Sequence, residues 1–203
     1  RQLGSDKLGD ALTIMRSHPF ATLTSVDTDG FPFVTHLPLH AQVDDGAAPL
    51  VLWGHCSRAN PHWKLLAANP QALVVFRGAH SYLSPTVYPD LQRVPTWNYV
   101  AVHAYAQPEV FEDAPRLLEL VSQLSNRHEA SRPNPWAVND APADYIDSML
   151  KAIVGFRLPI TRLIGKRKLS QNRSAADQAG VRNGLLANSN PQDHALARLI
   201  AKE

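Results

Sequence analysis

Three stretches of the chain put hydroxyls, amides, cations and aromatic rings at spacings that suit chemistry. The first is Gly54-His55-Cys56-Ser57-Arg58-Ala59-Asn60-Pro61-His62-Trp63. It follows an apolar strand and is read as opening a helix, with Ser57 as the N-cap of a helix through about Ala68. A helix N-terminus offers unpaired N–H groups and positive potential, which draw a phosphate. Ser57 adds a hydroxyl donor, and Arg58 adds a guanidinium able to pair with phosphate oxygens. The plainer reading of the same residues is an ordinary N-cap beside a surface arginine.

The second stretch is Pro95-Thr96-Trp97-Asn98-Tyr99-Val100-Ala101-Val102-His103-Ala104-Tyr105. Aromatic rings beside Thr and Asn suit a flat heterocycle, which needs stacking and a few hydrogen bonds. An aromatic strand face packed into a core or an interface has the same pattern. The third is Lys166-Arg167-Lys168-Leu169-Ser170-Gln171-Asn172-Arg173. Its four basic residues read first as a solvated turn. The Ser-Gln-Asn insert adds polar groups able to bond a ligand.

No metal is expected. His36 and His40 share a strand face but stand ~13 Å apart along an extended chain, too far to chelate one ion. Cys56 reads as a buried thiol. Ala175 to Val181 resembles the turn of a helix-turn-helix, but no long base-reading helix follows it. DNA binding is therefore possible without a clear motif.

These residues need a scaffold. Asp6–Ser17 has helical spacing of Leu8, Leu12 and Met15. Phe20–Val26 alternates, Asp27-Thr28-Asp29-Gly30 is a turn, and Phe31–Leu39 returns, which makes a hairpin. Asp44-Asp45-Gly46 is a second turn, Leu50–Gly54 a strand and Ala72–Phe76 a buried strand. Residues 78–96 read as a long irregular loop, of the kind that is usually functional. Thr96–Gln107 alternates again. Asp113 caps a helix to about Glu129, Asp140–Lys151 is helical and Ala152–Leu163 is a strand. Ser174–Leu186 and Gln192–Lys202 are helical. About six strands joined early by turns, with helices gathered later, favour an antiparallel β-barrel with flanking helices, an α+β fold, over a doubly wound sheet. The whole chain, 1–203, is expected to form one domain, with helical segments 113–150 and 174–203 packed on it.

Composition sets the outer bounds. The 203 residues are 44% hydrophobic and 19% charged, ordinary for a globular protein. A net charge of +2 carries no strongly basic field of the kind that nucleic-acid binding uses. No apolar run reaches the ~20 residues of a membrane helix. One cysteine excludes an intrachain disulfide, and a cytoplasmic location is the simplest expectation.

Taken together, HPFATLTSVDTDGFPFVTHLPL, GHCSRANPHW, HSYLSPTVY, VPTWNYVAVHAYAQ and the run from Pro135 to Val181 resemble the PaiB family, bacterial FMN-binding negative transcriptional regulators. The matching stretches run in the family's order from about His18 to Val181. The resemblance implies an FMN-binding split barrel related to pyridoxamine-phosphate oxidases and flavin reductases. It also implies a homodimer with FMN sites at the interface. Carried over by position, it puts Ser57, Arg58 and Asn60 at the phosphate and Thr35, His36 and Leu37 along the isoalloxazine. Lys168, Ser170, Gln171 and Arg173 are expected from a partner-facing segment. An FMN-binding regulatory protein is the first functional expectation. The alternatives are an FMN-dependent oxidoreductase or flavin reductase using NAD(P)H, and a haem-binding split barrel.

Overall fold

Asp27 closes the first hairpin with its own side chain. Its carboxylate accepts from the backbone N–H of Asp29 (2.9 Å) and of Phe31 (2.8 Å). Gly30 turns the chain at φ 85°, a left-handed conformation open to glycine. The two strands so joined are β1, Phe20–Val26, and β2, Pro32–Pro38. They pair antiparallel from Phe20↔Pro38 to Val26↔Pro32, as the alternation predicts.

The computed structural model describes residues 5–43, 50–89 and 93–200. The turn expected at Asp44-Asp45-Gly46 lies outside them, and the helix expected to run to Lys202 stops earlier, at Ala197. The remaining strands are β3 (His40–Val43), β4 (Leu50–Ser57), β5 (Ala72–Leu83), β6 (Thr96–Ala106), β7 (Glu109–Phe111) and β8 (Ile153–Lys168). The helices are α1 (Ser5–Ser17), α2 (His62–Ala68), α3 (Ala114–Glu129), α4 (Ala143–Lys151), α5 (Ala175–Ala187) and α6 (Pro191–Ala197). The hydrogen-bonded strand order is β2-β1-β5-β6-β8-β4-β3, with β7 on β8.

The chain divides into two compact units, and β5, β6 and β8 each contribute to both. The first comprises Arg1–Phe76 and His103–Leu163. Its interior is made by the inward residues of its strands, with Leu23, Leu39, Leu52, Phe76, Phe156 and Leu158 all fully buried. Alternation explains this: Ala21, Leu23 and Ser25 point in, while Phe20, Thr22, Thr24 and Val26 point out. Asp113 caps α3 by accepting from the Arg116 N–H at 3.1 Å, as expected. The buried Leu117, Leu120 and Leu124 of α3 form a cluster with Phe111 and Leu150. Gly155 makes room for it, since a Cβ there would sit 2.5 Å from the Phe111 ring.

The second unit comprises Arg77–Val102 and Ile164–Glu203. β5 enters it and continues to Leu83, so the irregular loop expected from residue 78 is strand over its first part. The burial alternation changes phase at Gly78-Ala79, which hides the strand from a period-two reading. α5 runs unbroken through Gly180 and Gly184. The turn of a helix-turn-helix is therefore not formed there. Both glycines instead seat Val87: a Cβ at Gly180 would lie 2.2 Å from the Val87 carbonyl oxygen, and one at Gly184 2.6 Å from its side chain.

Candidate functional site

The Ser57–Asn60 segment is a turn between β4 and α2, and its own side chains build it. The Ser57 hydroxyl accepts from the Ala59 N–H at 3.2 Å, and the Asn60 side-chain oxygen accepts from the His62 N–H at 3.0 Å. The Arg58 N–H goes to the Ala152 carbonyl (2.8 Å) and the Asn60 N–H to the Ser57 carbonyl (2.9 Å). The helix therefore begins at His62, after Pro61, and not at Ser57. Pro61 fixes the chain at the first turn and Asn60 serves as the polar residue before it. The helix N-terminus expected to meet a phosphate is thus displaced from Ser57-Arg58, and the donors available at the turn are side chains.

Arg58 is held on one edge. Its Nε donates to the Lys151 carbonyl at 2.8 Å and one Nη to the Ile153 carbonyl at 3.2 Å. Its other Nη pairs with Glu112. One N–H on each Nη is left, because a guanidinium carries five. The Ser57 hydroxyl retains its O–H, and Asn60 retains a second amide N–H after donating the first to Thr35 at 3.1 Å. Ser57, Arg58 and Asn60 therefore fit a phosphate chemically: a hydroxyl, a cation and an amide share one turn, with donors to spare.

Behind the turn lies a network that the local sequence does not announce. Thr35 is on β2, facing the same side as Leu37, and its hydroxyl stands 2.8 Å from His62 Nδ1. His62 Nε2 lies 3.0 Å from the Ser25 hydroxyl. With Asn60 donating to Thr35, one proton order satisfies every member: Thr35 donates to Nδ1 and the Nε2–H donates to Ser25. His62 is neutral in this arrangement. Burial pushes its pKa down to about 4, and Phe33 packs edge-on against its ring at 5.0 Å. The Asn-Pro-His run was the available signal, since an Asx turn before proline fixes where the third residue points.

Of the residues expected along an isoalloxazine, Thr35 joins the Asn60 turn directly. Leu37 is buried, against the space that a Gly54 side chain would take. His36 points to the opposite, outer face, where it meets Thr22 at 3.2 Å. His55 is on β4, and its buried Nδ1 has no hydrogen-bond partner among the described residues. Burial lowers its pKa, and burial with the nearby Arg127 and Arg16 charges lowers that of His40. Burial also raises the Cys56 thiol, so it is held as the acid.

The second unit gathers Lys168, Ser170, Gln171 and Arg173 into one self-tied turn. Gln171 accepts from the Leu169 N–H at 2.8 Å and donates to the Arg167 carbonyl at 2.6 Å. Ser170 has φ 62° and receives the buried Asn98 amide at 2.9 Å. Lys168 donates to Thr96 at 2.6 Å, and the Arg173 guanidinium lies over the Tyr88 ring at 5.9 Å. On the same unit, Trp97 stacks on His80 at 6.3 Å and meets Tyr82 edge-on at 6.1 Å.

An antiparallel β-sheet with flanking helices defines a class by its fold, the split barrels. Solved structures share it. The FAD and heme binding protein of Mycobacterium smegmatis aligns at a TM-score of 0.58 and 18% identity, covering 88% of this chain and 78% of that one. The flavocytochrome Anf3 of Azotobacter vinelandii aligns at 0.57 and 16% identity, covering 96% and 74%. The family described as "Putative FMN-binding domain" matches residues 4–162, and the chain belongs to it. The protease synthase and sporulation protein PAI 2 of Bacillus subtilis is 33% identical over 186 residues, 92% of this chain and 87% of that protein. FMN is the cofactor. It supplies redox chemistry when bound, and the chain supplies binding and orientation.

Proposed function

We propose that this chain is an FMN-binding regulatory protein that holds the cofactor by its phosphate at the Ser57–Asn60 turn. One observation carries the reading: the turn satisfies its own backbone donors and leaves the Ser57 hydroxyl, the outer N–H groups of Arg58 and an Asn60 amide N–H uncommitted. Thr35 and Leu37 on β2 would lie along the isoalloxazine through their backbone, and His36 would face away. A phosphate dianion asks for a second cation, for which Lys168 and Arg173 of a partner subunit are the candidates.

The homodimer belongs to the same proposal. Its support is the outer face of the β1–β2 hairpin, where Phe20, Val26 and Val34 are 68%, 46% and 46% exposed. Such an apolar strand face suits a second copy. Regulation is preferred to turnover because His62, the histidine beside the turn, has both ring nitrogens engaged and its one N–H committed to Ser25. The likeness to the sporulation protein supports the same choice. Among the described residues no helix is long and apolar enough to cross a membrane, and a cytoplasmic site of action is part of the proposal.

The test is to load the protein with FMN and follow NADH and NADPH oxidation. Turnover no faster than that of free FMN supports a regulator, whereas steady turnover makes the protein an oxidoreductase. A salt-dependent shift of a promoter fragment would make the regulation direct.

A further inference from the structure

We propose that Glu112 is the resident counter-ion of Arg58 and competes with the FMN phosphate for its guanidinium, so that Glu112 sets how strongly the site prefers a phosphorylated flavin. This rests on the reading that Arg58 holds the phosphate.

Arg58 has three partners, and they differ in how readily they can leave. The carbonyls of Lys151 and Ile153 belong to the backbone where α4 passes into β8, so they fix the guanidinium in place. Glu112 is a side chain between β7 and the cap of α3, and 49% of it is exposed. Its carboxylate can swing into water at small cost, because an exposed ion pair is worth little. The neighbouring carboxylates are otherwise engaged. Asp113 caps α3, and Glu109 pairs with Arg116 at 2.8 Å. Glu112 has Arg58 as its partner and no other among the described residues.

The consequence is an exchange. A phosphate on the two uncommitted Nη N–H groups brings more charge and more acceptor oxygens than one carboxylate, so it drives Glu112 off the guanidinium while the two carbonyls keep the plane of Arg58. The displaced carboxylate then stands near a like charge, which opposes FMN and leaves a flavin without phosphate indifferent. Glu112 is thus a specificity-determining residue that weakens FMN and spares riboflavin.

The experiment titrates FMN and riboflavin into wild type, Glu112→Gln, Glu112→Ala and Arg58→Ala, following flavin fluorescence. Both Glu112 variants should tighten FMN by about two- to fivefold and leave riboflavin unchanged. FMN affinity that is unchanged or weaker in them, while Arg58→Ala still loses FMN, overturns the proposal and makes Glu112 a support for Arg58. Undiminished FMN affinity in Arg58→Ala overturns the phosphate reading itself, and with it this proposal.

Discussion

His62 Nδ1 lies 2.8 Å from the Thr35 hydroxyl, which ties the first turn of α2 to β2 beneath the Ser57–Asn60 turn. The imidazole is 1% exposed and its pKa is pushed down to about 4 by burial. A histidine whose folded pKa is depressed stabilises the fold above its unfolded value of 6.5, and that stability is lost as pH falls toward the folded value. The protein should therefore lose on the order of 3 kcal/mol between about pH 6.5 and 4 from this group. Burial of His55 and His40 acts in the same direction. Urea unfolding at a series of pH values checks this: His62→Gln should flatten the acid limb, and an unchanged slope would contradict the neutral network.

Arg58→Ala should act on both cofactor and fold. It removes the charge-assisted contact proposed for the phosphate, so FMN affinity should fall by about ten- to a hundredfold, with riboflavin much less affected. It also frees the carbonyls of Lys151 and Ile153, so apo stability should fall by roughly 1–2 kcal/mol. Titration and thermal unfolding separate the two effects. Arg58→Lys should recover part of the FMN affinity, because it keeps the charge and loses the fork.

Gly180 and Gly9 are both helical, yet alanine should affect them oppositely. A Cβ at Gly180 meets the Val87 carbonyl oxygen at 2.2 Å, whereas one at Gly9 meets nothing within 4 Å. Gly9→Ala should stabilise by about 1 kcal/mol through helix propensity. Gly180→Ala should destabilise, because a rigid backbone oxygen has to move. Melting temperatures of the two variants give the signs directly.

Phe20→Glu and Val34→Glu test the proposed dimer. Both residues lie on the outer face of the hairpin, among partners set by the register Phe20↔Pro38 and Thr24↔Val34. Each should shift the sedimentation coefficient from dimer toward monomer with the fold retained. Variants that sediment as wild type would place the interface elsewhere.

Much of this scaffold could be read from local chemistry. Asp27 to Gly30 announces its hairpin, Asp113 and Ser174 announce their helices, and the alternation of Thr96–Ala106 marks a strand with one side buried. Misreadings came where two signals competed. Ser57 looks like an N-cap, but Asn60-Pro61 takes the first turn of the helix away from it. Ala175–Val181 resembles a helix-turn-helix turn, but distant Val87 requires glycine at position 180 inside the continuous helix. Gly78-Ala79 shifts the phase of β5 and disguises it. The partnership of Arg58 with Glu112, and of His62 with Ser25, joins residues 54 and 37 positions apart. Only the folded chain brings such pairs together.

The phosphate grip is tested most directly by titrating wild-type protein with FMN and with riboflavin under the same conditions, by calorimetry. Two or more charge-assisted hydrogen bonds from the Ser57–Asn60 turn predict that FMN binds at least about tenfold tighter than riboflavin, with the difference shrinking as salt is raised. Equal affinity for the two flavins would contradict the account.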